Sequence, residues 1–317
     1  NGLSLTRAAL TAFWSPPATE AGSDRSKVIK SLISSFRYPR LGPGMMWEAT
    51  AERVRALGGQ VTLGARVTQL SRLDGVAGWQ LKREGPGLRA AGLVAGTKTY
   101  DQIICSAPLS WLVSAIHPAP SPQALEAAAS LKYRDFITVA VMLKTSKAFP
   151  DQWIYIHDPD IKAGRIQNFA NWSPEMVPDP SITCLGLEYF CFQGDALWSM
   201  ADDDLIALAS RELVTLGLAD NEIILDGAVV RQPKAYPVYD DTYKIHTQSI
   251  RAALATASEG LQVVGRNGMH KYNNQDHSMM TAMLAVKNIL SERPIYDPWN
   301  VNQDAEYIET TDKEVAT

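Results

Sequence analysis

The stretch that most constrains this chain runs from Leu261 to Leu290. Leu261-Gln262-Val263-Val264 is a short apolar run of strand type, and Gly265-Arg266-Asn267-Gly268 follows it as a turn. Beyond a polar segment, Asn273-Asn274-Gln275-Asp276-His277-Ser278, the pattern becomes helical. Met279, Met280, Met283, Leu284, Val286 and Leu290 recur there at three- and four-residue steps. Asp276 or Ser278 is placed to cap that helix by accepting a backbone N–H. A strand, a glycine turn and a capped helix aim free N–H groups and a positive dipole end at one place, which suits an anion or an electron-rich ring edge. The spacing alone fits an ordinary strand–loop–helix corner equally well.

With 317 residues the chain has material for one large domain or two interleaved ones. Its net charge of −4 and lack of a basic run give no footprint for nucleic acid. No apolar run approaches the ~20 residues of a membrane-spanning helix. Cys105, Cys184 and Cys191 show no CxxC spacing. They read as buried free thiols, which points to a reducing compartment and a cytoplasmic location. No catalytic-triad signature occurs. His270, His277 and Asp276 lack the helical spacing of a zinc enzyme, so no metal is expected. Asp202-Asp203-Asp204 precedes a helical pattern and reads as capping and dipole complementarity.

In chain order, residues 1–38 read as two short helical pieces joined by a polar linker. Tyr38-Pro39-Arg40-Leu41-Gly42-Pro43-Gly44-Met45 has the prolines and glycines of a tight loop. A helix from about Trp47 to Leu57 follows, ended by Gly58-Gly59. Gln60–Leu63, Arg66–Leu70, Trp79–Arg83 and Leu88–Ala95 read as strands, and residues 100–108 as a buried strand ended by proline. Between 109 and 240 the texture changes. A helix over Pro122–Leu131 is followed by strands at Phe136–Leu143, Trp153–His157, Arg165–Trp172, Thr183–Phe192 and Ile223–Arg231, with a helix at Asp202–Leu216. That run predicts one mixed or antiparallel sheet partly covered by helices. Trp153, Tyr155, Trp172, Tyr189, Phe190 and Phe192 fit either a pocket wall or an aromatic core. The tail from 296 to 317 is polar and acidic.

The segment Gly265-Arg266-Asn267-Gly268, then Tyr272-Asn273-Asn274-Gln275-Asp276-His277-Ser278-Met279, resembles the C-terminal flavin-contacting segment of a large FAD family. That family includes amine oxidases, protoporphyrinogen oxidases, phytoene desaturases and UDP-galactopyranose mutases. The resemblance implies that Gly265 and Arg266 lie along the FAD ribityl–pyrophosphate. It sets the helix start, with Asp276, His277, Ser278 and Met279, beneath the pyrimidine end of the isoalloxazine. The loop at Gly42, Pro43, Gly44 and Met45 resembles a second signature that passes near the flavin ring. Val67 matches a position beside the adenine.

The implied fold is α/β of mixed type. It comprises an incomplete Rossmann-like FAD domain (39–107 with 241–295) and a mixed or antiparallel-sheet substrate domain with helices (108–240). A helical segment (1–38) and a polar tail (296–317) flank them. No G-x-G-x-x-G occurs, although the family opens with that fingerprint. The expectation is therefore a fragment, inactive by itself, that self-associates or pairs with the missing N-terminal region. The implied activity is that of an FAD-dependent oxidoreductase removing a hydride from a C–N or C–C bond of a small organic substrate. A mutase-type flavin isomerase and a non-catalytic scaffold are the alternatives. No catalytic side chain announces itself, because the flavin carries the chemistry.

Overall fold

The computed structural model describes residues 37–73, 78–145, 148–257, 259–291 and 293–302. The expected helical pieces before residue 37 and the tail beyond 302 lie outside the described residues. Helix α1 (Gly44–Ala56) leads to β1 (Arg66–Arg72), β2 (Trp79–Glu84), β3 (Gly96–Tyr100) and β4 (Ile103–Cys105). Next come α2 (Leu109–Ala115), β5 (Ile116–His117), α3 (Pro122–Ser130), β6 (Tyr133–Leu143), β7 (Trp153–Tyr155), β8 (Arg165–Asn168) and β9 (Thr183–Cys191). The chain continues through α4 (Asp202–Thr215), β10 (Ile224–Pro237), α5 (Tyr243–Ala257), β11 (Leu261–Val263) and α6 (Gln275–Leu290).

The strands form three sheets. One has the order β3-β2-β1-β5, and a five-stranded one has β10-β6-β9-β8-β7. The third is the pair β11-β4, which runs parallel with Leu261 opposite Ile103 and Val263 opposite Cys105. Every neighbour pair in the five-stranded sheet is antiparallel. Strict alternation along β6 explains how it folds, since Ile137, Val139, Val141 and Leu143 are fully buried while the residues between them are half-buried. They pack with Leu185, Leu187, Leu205, Ala209 and Leu213, so α4 covers one face of this sheet. Each such aliphatic side chain contributes about 1.5–3 kcal/mol on burial.

A second core joins β1, β4 and β11 to α2, α3 and α5 through Leu70, Ile103, Leu109, Leu112, Ile250 and Leu261. Trp79 is fully buried within it, and its indole N–H donates to Glu259 O at 2.9 Å.

Several local expectations change. Gln60–Leu63 pairs with no strand, and β1 begins to pair with β2 only at Arg66, opposite Glu84. Leu88–Ala95 is not a strand. Gly85 (φ +121°) and Pro86 start a short helical turn to Ala90, and the hairpin partner of β2 is β3 instead. β8 stops at Asn168 because the chain turns helical at Phe169. The Phe169 ring lies over Gly186, where a Cβ would stand 2.6 Å from it. The three aspartates fall inside the first turn of α4, not at its cap. Asp202 pairs with Arg231 at 2.5 Å. No helix among the described residues is long and apolar enough to cross a membrane.

Candidate functional site

The parallel strands β4 and β11 end side by side, and Val264 N–H donates to Cys105 O at 3.0 Å. Outside the carboxyl ends of such strands is where open parallel sheets take ligands. Ser106 follows β4, and Gly265 follows β11 with φ +79°. Gly265 begins a single helical turn to Gly268, where the sequence pattern reads a plain turn. Gly268 is dictated by close packing, since a Cβ there would come 2.7 Å from Cys105 O. Gly265 N–H donates to the buried Thr281 hydroxyl at 2.9 Å, and Asn273 Nδ2 returns a bond to Gly265 O at 3.2 Å. These bonds tie the corner to α6.

Helix α6 is capped by neither Asp276 nor Ser278. Asn274, with extended backbone, forms a capping box with His277, whose Nδ1 accepts the Asn274 N–H at 3.3 Å. The cap lies two residues earlier than Asp276 because Asn274 is the last residue outside helical geometry. That frees the Ser278 hydroxyl. A Cβ built on Gly265 would meet nothing nearer than Ser106 Cβ at 3.8 Å and the Ser278 Cβ and Oγ at 4.0 Å. The buried Gly265 backbone therefore packs in ordinary van der Waals contact between two serines, near the start of α6, where a helix presents its first N–H groups.

Beside this corner a cavity of about 690 Å³ is lined by Val67, Leu70, Leu81, Ile103, Cys105, Ser106, Pro108 and Trp111, among others. Its charged lining residues are Arg66 and Lys234, with no carboxylate, so it favours an anionic or electron-rich guest. Lys234 has φ +53°, an uncommon conformation for a side-chain-bearing residue. It sits where the β10–β6 register breaks, between Gln232 and Tyr236.

The face of the five-stranded sheet opposite α4 is the other half of the arrangement. Tyr155 lies opposite Arg165, Arg165 opposite Glu188, and Glu188 opposite Thr138, giving one row across four strands. Glu188 is buried and accepts from both Arg165 Nε and Gln167 Nε2, and Trp172 Nε1 donates to Gln167 Oε1 at 3.0 Å. Burial works against the charge on Arg165. The hydrogen bond and charge of Glu188, with Tyr155 and Tyr236, together offset it, so its pKa ends above the ordinary value.

Trp153 and Trp172 stack at 5.1 Å, and Tyr38 stacks on Trp172 at 4.9 Å. Phe190 meets Phe136 at 5.4 Å, Phe136 meets Tyr236 at 6.0 Å, and Tyr236 meets Tyr272 at 5.5 Å. The aromatic surface thus runs from the sheet face to the corner before α6. Of the aromatic residues that left pocket and core both open, Trp153, Tyr155, Phe190 and Phe192 are exposed. Tyr189 is core, its hydroxyl donating to Glu212 at 2.9 Å.

The sequence-derived residues fall into three groups. Gly265, Ser278 and the first turn of α6, with Asp276, His277 and Met279, share the corner, and Val67 lines the adjoining cavity. Arg266 belongs to the same corner, but its guanidinium is engaged by backbone carbonyls of Asn273 and Ala235. Gly42, Pro43, Gly44 and Met45 start α1, and Gly42 packs on Met176 while Arg40 pairs with Glu175, at the Trp172 side of the sheet. Sequence reasoning missed Ser106, Lys234 and Asn274 as site residues. Only Pro233, an interruption in a strand pattern, hinted at the bulge that carries Lys234.

A family model for flavin-containing amine oxidoreductases matches residues 19–249, well over half of the chain. The chain belongs to that family. Among solved structures, a reduced UDP-galactopyranose mutase superposes with a TM-score of 0.67 at 18% identity, covering 84% of this chain and 56% of that one. A candidate protoporphyrinogen oxidase from Exiguobacterium sp. 255-15 superposes with a TM-score of 0.58 at 16% identity, covering 78% of this chain and 51% of that one. Both likenesses are of fold, and this chain spans about half the length of each. Curated protein sequences give no match. The mixed α/β architecture, with its antiparallel sheet and helices, is the fold of these two structures.

Proposed function

We propose that this chain forms part of an FAD-dependent oxidoreductase that takes a hydride from a C–N or C–C bond of a small organic substrate. The observation that carries the reading is the position of Gly265, a left-handed glycine. It lies between Ser106 and Ser278, at the N-terminus of α6 and at the ends of two parallel strands. A flavin fits it on chemical grounds, because that group needs close backbone approach and donors for an electron-rich edge.

In this reading Gly265, Ser278 and the first turn of α6, with Asp276, His277 and Met279, hold the pyrimidine side. The cavity beside Val67, with Arg66 and Lys234, receives the anionic part of the cofactor. Gly42, Pro43, Gly44 and Met45 close the site from the start of α1. The bound flavin supplies hydride acceptance. The chain's own residues bind, orient and exclude water. The open sheet face around Arg165 and Glu188, walled by Trp153, Tyr155, Phe190 and Phe136, receives the substrate. Residues 39–107 with 241–295 then form the cofactor part and 108–240 the substrate part, except that α2, β5 and α3 pack into the core of the cofactor part.

Anaerobic mixing of the native protein with amines, porphyrinogens or polyenes tests the reading. Bleaching of the flavin by one of these classes is the expected result. Turnover of a nucleotide sugar by pre-reduced protein without net oxidation would replace the oxidoreductase by a mutase.

A further inference from the structure

The Arg266 side chain reaches from the corner to the substrate sheet. Its Nε donates to Asn273 O at 2.8 Å, Nη1 to Ala235 O at 3.2 Å and Nη2 to Asn274 Oδ1 at 3.5 Å. Its guanidinium lies 5.0 Å from the Tyr236 ring centre and 5.1 Å from that of Tyr272, while those rings stack on each other at 5.5 Å and 21°. All three nitrogens therefore have acceptors on protein groups, and the planar cation rests on two rings.

The next residue grips the same place. Asn267 Nδ2 donates to Lys234 O at 2.9 Å, and Lys234 N–H donates to Oδ1 of the buried Asp135 at 2.7 Å. Two consecutive side chains from one helical turn thus hold the carbonyls of Lys234 and Ala235, inside a bulge whose Lys234 has a strained backbone.

We propose that Arg266 is a positioning residue: it locks Tyr272, before α6, to Tyr236, at the kinked end of β10, and so fixes the aromatic wall where cavity and sheet face meet. Its bearing on substrate rests on the flavin reading; the lock itself does not. The role differs from the contact along the cofactor phosphates that the family resemblance implies. A lysine cannot take it over, because an ammonium offers a point charge and no planar fork to reach two carbonyls and two rings at once.

The test is site-resolved nitration of tyrosines by tetranitromethane in the 317-residue chain, read by mass spectrometry alongside near-ultraviolet circular dichroism. In both Arg266→Met and Arg266→Lys, nitration of Tyr236 and Tyr272 should rise severalfold and the tyrosine dichroism should fall. Core residues Tyr133 and Tyr189 should keep their wild-type reactivity. If Arg266→Met does not fold, Arg266→Lys decides. Unchanged tyrosine reactivity, a uniform rise over all tyrosines, or full rescue by lysine would overturn the proposal. Flavin content is read separately. Loss of flavin with both tyrosines unmoved would assign Arg266 to the cofactor and reject the lock. A native protein without flavin would defeat the functional reading and leave the tyrosine result standing.

Discussion

At the scale of single residues, buried titratable groups make the sharpest demands. His270 is 2% exposed, its Nε2 lies 3.3 Å from Val238 O, and its Nδ1 has no partner. Burial pushes its pKa down to about 4, against smaller upward pulls from Val238 and Asp240. The unfolded chain binds a proton at ordinary histidine pH and the folded one does not. Stability is therefore complete above about pH 6.5 and is lost as pH falls toward 4, by on the order of 3 kcal/mol. Urea unfolding at stepped pH should show that loss. In His270→Asn, which tolerates the positive φ, this component of the slope should vanish. Glu188 poses the opposite problem, a buried carboxylate held by a cation. Arg165→Met should cost about 3 kcal/mol, and adding Glu188→Leu should recover most of it, because the penalty comes from the stranded charge.

At the scale of elements, α6 shows how a correct period can coexist with a misread end. Methionines and leucines at helical steps made the helix legible. The cap was not, because Asn274, Asp276 and Ser278 are all good capping residues and only backbone geometry chooses among them. Asn274→Ala should lower stability by about 1 kcal/mol. Asp276→Ala removes only a favourable charge near the dipole and should cost about 0.3 kcal/mol. Thermal or urea unfolding separates the two; equal costs would mean the box is not formed. Strand β6 was legible from its nearly continuous apolar run, whereas α5 was missed because Ile250 and Leu254 are its only buried large residues among those described. The false strand at 60–63 had the right alternation and that at 88–95 had flanking glycine turns, but neither had a partner, and pairing is a property of the fold that no local pattern contains.

At the scale of the whole molecule, the parallel pair β4–β11 and the five-stranded sheet present their working surfaces to each other through Tyr236, Tyr272 and the β10 bulge. The corner residues were legible because a strand, two glycines and a capped helix occur in one run. Ser106 and Lys234 were not, since they come from distant parts of the chain and meet only in three dimensions. The central claim is that this meeting place holds a flavin. The most direct measurement is the visible absorbance of the native protein beside Gly265→Val, at matched far-ultraviolet circular dichroism. Stoichiometric oxidised flavin is expected in the whole enzyme of which this chain forms part, and a large loss in the variant, whose side chain would crowd Ser106 and Ser278 at a left-handed backbone position. A native protein without flavin, or a variant that keeps its full complement, would contradict it.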